Sequence, residues 1–278
     1  MAADAAPVGV IIPAAGIGSR LGQGAKAMVQ LAGRPMLAHA LADVEANRCV
    51  ESVVVVAHPG ALEPVAKVVA EHGFARVAAV VPGGPTRQAS VACGLAALPP
   101  GPGYVAVHDA ARPLAGPGCV DRLLMLLLDP DGAAAGAGGW PRGAGRRPFA
   151  AAGQDAGGRL VDAAVPLPPD GSAGVVPGVP VTDTVRRVST DGWSRGIVNR
   201  EELRRTQTPQ LFVRAVLEEA HRLAHADGLE ATDEAALVEW AGYRVRVVPG
   251  AVDNIKVTTA NDLLVAETLL ARRRAGWS

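Results

Sequence analysis

Lysine is almost missing from this chain. Of its 27 basic residues only Lys26, Lys67 and Lys256 are lysines, and the rest are arginine. Arginine is a broad planar fork, whereas lysine is a compact, mobile point charge able to follow a reacting phosphate. Where this sequence does use lysine, a chemical reason is therefore worth seeking. Cysteine is scarce as well: Cys49, Cys93 and Cys119 are odd in number and not in metal-ligand spacing. That excludes a disulfide framework and reads as a reduced, cytoplasmic protein. Net charge is zero, 27 basic residues against 27 acidic, so the basic surplus of a general nucleic-acid or membrane-surface binder is absent. No apolar run approaches the roughly 18 residues of a membrane span. No basic residue precedes the first apolar run, and no secretory signal is expected.

What is there is length, glycine and alternation. A chain of 278 residues can bury a sizeable core. Its first half alternates β-rich runs at 8–12, 52–57, 76–81 and 104–107 with helical stretches at 35–47, 61–72, 86–98 and 118–128. Continuous apolar strands such as "SVVVVA" suit a parallel sheet covered on both faces. The alternation predicts an α/β fold, a single doubly wound, mostly parallel sheet. Ligands of such sheets bind outside the carboxyl ends of the strands, so the loops after Ile12, Val81 and Val107 should gather on one edge. Residues 129–172 are dense in Gly, Ala, Pro and Arg and read as a flexible surface insertion in a single domain spanning 1–278. A strand resumes at 174–179. The residues around "DGWS" predict a protruding β-hairpin arm over 180–200. Helices follow at 213–226 and 232–240, then a strand at 244–248 and a last helix at 260–273.

The first strand runs into a glycine-rich loop, "VGVIIPAAGIGSRLGQGAK". A dinucleotide fingerprint G-x-G-x-x-G fails here, because Gly16 and Gly18 fit but Leu21 occupies the sixth position. "GQGAKA" likewise lacks the spacing and hydroxyl of a P-loop. What remains is a long loop carrying Arg20 and Lys26. Its glycines let backbone N–H groups face a ligand, and with two cations they would cradle a polyphosphate; an ordinary strand-to-helix loop is the alternative. "PGGPTRQASVACGL" is a second glycine turn leading into a helix, with Arg87 and Ser90 near its start; its N–H groups and the Ser90 hydroxyl would read the edge of a base. "VHDAARP" sets Asp109 directly after a buried strand, where a carboxylate holds Mg²⁺ or a substrate hydroxyl. "DNIKVTTANDL" supplies Lys256. Singly, these are equally a core hydroxyl, a turn residue and a solvated charge. Their convergence on the strand ends of one sheet points to one site.

"PAAGIGSRLGQGAK", "GGPTRQASVACGL", "VHDAARP", "PVTDTVRRV", "TQTPQLF", "TDEAALVE" and "DNIKVTTANDL" occur in this order. Together they resemble the motifs of the 2-C-methyl-D-erythritol 4-phosphate cytidylyltransferase family of the non-mevalonate isoprenoid pathway, over roughly 8–128 and 174–273. The resemblance implies a Rossmann-like nucleotidyltransferase in which Arg20 and Lys26 contact the triphosphate of CTP and Lys256 flanks the reacting phosphate. Ser90 and the backbone of Gly83 and Gly84 would meet the cytosine. Ala14, Ala15 and Gly16 would line the same pocket, with Gly18 and Arg87 among the nucleotide-binding residues. Asp109 would sit by the acceptor phosphate and Mg²⁺, with Arg112 nearby. Thr208, Thr232 and Lys256 match positions on the sugar phosphate. Thr184 and Arg200 match arm residues that reach into a neighbouring subunit's site, which implies a homodimer. Thr232 would equally serve as a helix N-cap and Thr208 as a turn residue. His108 reads as structural, since a phosphate nucleophile is already ionised and requires no base. The chain departs from the family pattern at Ala25, commonly proline, and at Pro85, often acidic. The rival readings are a cytidylyltransferase for another polyol phosphate, such as ribitol 5-phosphate, and a non-catalytic nucleotide-binding regulator.

Overall fold

A computed structural model describes residues 6–16, 25–129 and 167–276. Gly18, Arg20 and most of the expected insertion lie outside the described residues. In chain order the elements are β1 (Val8–Ala14), β2 (Gln30–Leu31), β3 (Arg34–Pro35), α1 (Met36–Glu45), β4 (Val50–Ala57), α2 (Leu62–Glu71), β5 (Val77–Pro82), α3 (Arg87–Ala97), β6 (Tyr104–Val107) and α4 (Cys119–Leu128). Then follow β7 (Ser172–Pro180), β8 (Val185–Val188), β9 (Ser194–Val198), β10 (Arg204–Thr206), β11 (Gln210–Val213), α5 (Arg214–Asp227), α6 (Glu234–Trp240), β12 (Arg244–Pro249) and α7 (Ala260–Arg274).

Eight strands form one mixed sheet in the order β12-β7-β11-β6-β1-β4-β5, with β10 also pairing with β7. β1 pairs in parallel with both β4 and β6, and β5 continues the parallel run beyond β4. Period-two alternation divides the valine-rich strands between two cores. Val10, Ile12, Val53 and Val55 pack with Leu37, Leu41, Leu124 and Leu127 of α1 and α4. Ile11, Val54 and Val56 pack with Val91, Leu95, Val216 and Leu217 of α3 and α5. With helices on both faces, the polar ends of the strands are the sheet's open edge.

The short strands β2, β3 and β10 are not expected from the sequence, and two further elements differ from the expectation. The stretch before α5 is itself a strand: β11 is inserted antiparallel between β6 and β7, and all four of its residues are buried. A four-residue apolar run carries too little periodicity to separate a buried strand from the lead-in to a helix. α6 also starts later than expected, with Asp233 rather than Thr232 as its N-cap. The Asp233 carboxylate accepts the Ala236 N–H at 2.9 Å, and Thr232 stays exposed ahead of it. The arm is the antiparallel pair β8–β9. It carries Val188, Trp193 and Ile197 exposed to 61%, 75% and 67%.

Candidate active site

A cleft of about 690 Å³ opens along the carboxyl edge of the parallel strands. Ala14, Ala15 and Gly16 at the end of β1, His58 after β4, Gly83, Gly84 and Ser90 around the β5–α3 turn, and Asp109 after β6 all line it. Lys26 and Lys256 reach the same cleft from opposite ends of the sequence. Lys26 is held at the rim because its backbone N–H donates to the Gly16 carbonyl at 3.2 Å, which ties the far end of the first loop back to β1.

The β5–α3 turn owes its shape to two missing side chains. A Cβ on Gly83 would lie 2.7 Å from Ala15 Cβ and 2.8 Å from Ser90 Oγ, and one on Gly84 would lie 2.6 Å from Ala89 Cβ. Thr86 caps the helix by accepting the Ala89 N–H at 3.1 Å. The Ser90 hydroxyl donates to the Thr86 carbonyl at 2.9 Å, so its oxygen remains an acceptor at the cleft wall. The N-terminus of α3, with its positive dipole end, therefore faces the cavity.

Among the described residues Asp109 is the cleft's one carboxylate, and it is doubly held. Its Oδ2 accepts from Lys256 Nζ at 2.7 Å, and its Oδ1 accepts from Arg87 Nη2 at 3.1 Å and Nε at 3.3 Å. Burial would raise this carboxyl, but Arg87 and Lys256 outweigh it and keep Asp109 well below the usual carboxylate range. Arg87 in turn donates from Nη1 to both oxygens of Glu234, at 2.9 and 2.8 Å. Behind Asp109, Thr208 Oγ1 accepts the Asp109 N–H at 2.9 Å and lies 3.1 Å from His108 Nδ1. Burial pushes the His108 imidazole down to about 4, so it is neutral at pH 7.

The cleft thus gathers Ala14, Ala15, Gly16, Lys26, Gly83, Gly84, Arg87, Ser90, Asp109 and Lys256. The other expected residues stand elsewhere. Thr208 is buried behind Asp109. Arg112 turns its guanidinium to the carbonyls of Asn254 and Thr206. Thr232 is exposed. Thr184 and Arg200 sit on the arm, exposed, where Arg200 donates to the Thr182 carbonyl and closes the arm's base.

Sequence reasoning missed His58 and Glu234. His58 follows a strand end and was open to the same carboxyl-edge argument as Asp109; its Nδ1 accepts the Gly60 N–H at 3.1 Å. Glu234 reads in sequence as an acid in the first turn of a helix, a position ordinarily solvated.

A mostly parallel α/β sheet whose strand ends carry glycine turns, convergent lysines and a helix N-terminus, without a dinucleotide fingerprint, has the make-up of a nucleotidyltransferase, and comparison with known proteins shows that class. The family model described as "2-C-methyl-D-erythritol 4-phosphate cytidylyltransferase" (IspD) matches residues 8–138 and 155–272. The enzyme of that name from Pelotomaculum thermopropionicum is 37% identical over 269 residues, 96% of this chain and 95% of that protein. The one from Streptomyces coelicolor is 40% identical over 273 residues, 95% of this chain and 85% of that protein. The Thermus thermophilus crystal structure of the same enzyme superposes with a TM-score of 0.65 at 34% identity, covering 95% of this chain and 99% of that one. The chain belongs to the IspD family of cytidylyltransferases.

Proposed function

We propose that this protein transfers the cytidylyl group of CTP to 2-C-methyl-D-erythritol 4-phosphate, giving 4-diphosphocytidyl-2-C-methyl-D-erythritol and pyrophosphate. The observation that carries the reading is the convergence of Lys26 and Lys256 on one cleft with Asp109 between the strand ends, in a chain of this family. An oxygen of the acceptor phosphate forms a bond to the α-phosphorus of CTP. The bond from that phosphorus to the β-phosphate oxygen breaks, and pyrophosphate leaves with the electron pair. The nucleophile is already an anion and needs no base, which accords with a His108 that is fully buried and does not line the cleft. Positioning and electrostatic stabilisation carry such transfers, and cations around the α-phosphate do the central work.

Lys26 and Lys256 flank the reacting phosphate, Arg20 joins them on the triphosphate, and the glycine backbone around Gly16 and Gly18 wraps it. The backbone of Gly83 and Gly84 and the Ser90 oxygen take the base; as an acceptor, Ser90 suits the exocyclic amine of cytosine. Arg112, Thr208 and Thr232 lie on the acceptor side. Thr208 acts there through Asp109, because its hydroxyl is engaged by the Asp109 N–H.

The resemblance implies Mg²⁺. Among the described residues no group of three or more His, Cys, Asp or Glu side chains is placed to hold a metal. A single carboxylate fits an ion shared with substrate phosphates and water, the usual mode for Mg²⁺. Asp109 would hold it, and the ion would supply neutralisation of the triphosphate charge. The exposed arm, with Val188, Trp193 and Ile197 uncovered, supports a homodimer in which Thr184 and Arg200 serve the second copy's site.

The test is pyrophosphate release from CTP and Mg²⁺ with 2-C-methyl-D-erythritol 4-phosphate, with ribitol 5-phosphate alongside. Release with the methylerythritol phosphate alone is the expected result. Release with ribitol phosphate alone would move the acceptor, and silence with both in a protein that still binds CTP would leave a nucleotide-binding regulator.

A further inference from the structure

Asp109 and Glu234 are the two buried carboxylates among the described residues, at 7% and 1% exposure, and the same guanidinium holds both. Four charges from four separate parts of the chain alternate in a line: Lys256, Asp109, Arg87, Glu234. Lys256, at one end, is 45% exposed in the cleft, while Glu234, at the other end, is sealed beneath α3 by the first residue of that helix. We propose that Glu234 is a positioning residue for cytidylyl transfer. It fixes Arg87 so that Arg87 clamps one oxygen of Asp109 and the other oxygen is presented to Lys256. This inference rests on the proposed function.

The geometry shows why a buried carboxylate is kept here. Arg87 uses Nη1 for Glu234 and its Nε–Nη2 edge for Asp109 Oδ1, so its orientation about the cleft is set from behind. A buried ion pair is poor value as a source of stability, since well-packed apolar residues of the same volume do as well or better. What apolar residues cannot do is aim a guanidinium. The neighbouring Gln88 adds a second tie to the same region: its amide donates to the Leu229 carbonyl at 3.0 Å and accepts the Ala231 N–H at 2.8 Å. The first turn of α3 is thereby fastened to the segment leading into α6.

Three variants and one structure decide the point. Glu234→Gln keeps the shape and removes the charge; kcat should fall between about 10- and 100-fold, the scale of misplacing a catalytic group by an ångström, while KM for CTP stays within about threefold. Glu239→Gln, on the exposed side of α6, should match wild type. The double variant Arg87→Met/Glu234→Met replaces the pair with apolar side chains and should unfold at a temperature near the wild-type value while kcat stays at least about tenfold down. A merely structural loss would lower the unfolding temperature together with kcat. Wild-type kcat in Glu234→Gln or in the double variant overturns the proposal. If wild-type protein itself releases no pyrophosphate, the assigned reaction has failed, and a crystal structure of Glu234→Gln still decides the positioning. A displaced Lys256–Asp109 contact supports it, and an intact 2.7 Å contact overturns it.

Discussion

Replacing Gly83 with alanine tests the nucleotide side of the cleft through one carbon atom. The added Cβ would stand 2.7 Å from Ala15 Cβ, 2.8 Å from Ser90 Oγ and 3.3 Å from Val56 Cγ1. Carbon atoms settle about 3.5–4.0 Å apart, so a gap of about 1 Å has to open. No easy movement supplies it. Ala15 has no flexible end to swing aside, Ser90 is tied to the Thr86 carbonyl at 2.9 Å, and the Gly83 N–H donates to the Ala57 carbonyl at 2.8 Å. Gly83 is not among the glycines with positive φ, so the strain is steric rather than conformational. The turn must move as a unit, carrying Ser90 and Arg87 with it. Overpacking of this kind costs about 1–3 kcal/mol, or a few degrees of Tm per kcal/mol in a chain of this size. An ångström of misplacement at a reacting centre costs about 10²-fold in rate. Steady-state pyrophosphate release against CTP concentration should show kcat/KM down about 10²-fold, with thermal unfolding shifted down. Gly103→Ala, where the new Cβ meets nothing within 4 Å, is the control and should be neutral. Wild-type kcat/KM and Tm in Gly83→Ala would refute the close-approach argument.

Lys26→Ala and Lys256→Ala should each lower kcat by at least about 10²-fold, the effect of deleting one transition-state donor; near-normal single-turnover rates in either variant would remove that lysine from the reacting phosphate. Thr208→Val should lose about 1–3 kcal/mol of stability, because it strips the buried Asp109 N–H and His108 Nδ1 of their shared partner, and an unchanged urea midpoint would refute that. His108 and His221 are both pushed by burial to about 4 from an ordinary 6.5. The unfolded chain therefore binds more protons between those values, and stability should fall as pH drops from about 6.5 to about 4, by up to about 1.4 kcal/mol per pH unit for each histidine. Urea unfolding that is flat across pH 4–7 would contradict the burial of both.

What was legible in the sequence divides along the distance over which each signal acts. β1 and β4 announced themselves because a strand buried on both faces must be apolar throughout, and "VGVII" and "SVVVVA" are. Asp109, Lys26 and the Gly83–Gly84 pair were findable because strand ends in a parallel sheet converge, so local position in the chain already implied a place at the cleft. β11 escaped because "QLFV" is too short for periodicity, and its antiparallel insertion depends on a strand pairing that lies more than a hundred residues back, at β6. Glu234 escaped for a deeper reason. A glutamate at the first position of a helix satisfies the helix dipole wherever it points, so its sequence context is complete without a partner. The packing of α6 on α5, β12 and β7 removes it from water, and Arg87, 147 positions away, is the cation that meets it there. The thread from Glu234 through Arg87 and Asp109 to Lys256 joins four local contexts that are each unremarkable. The chemistry lies in their juxtaposition, which pattern reading along one chain cannot supply and a folded sheet edge can.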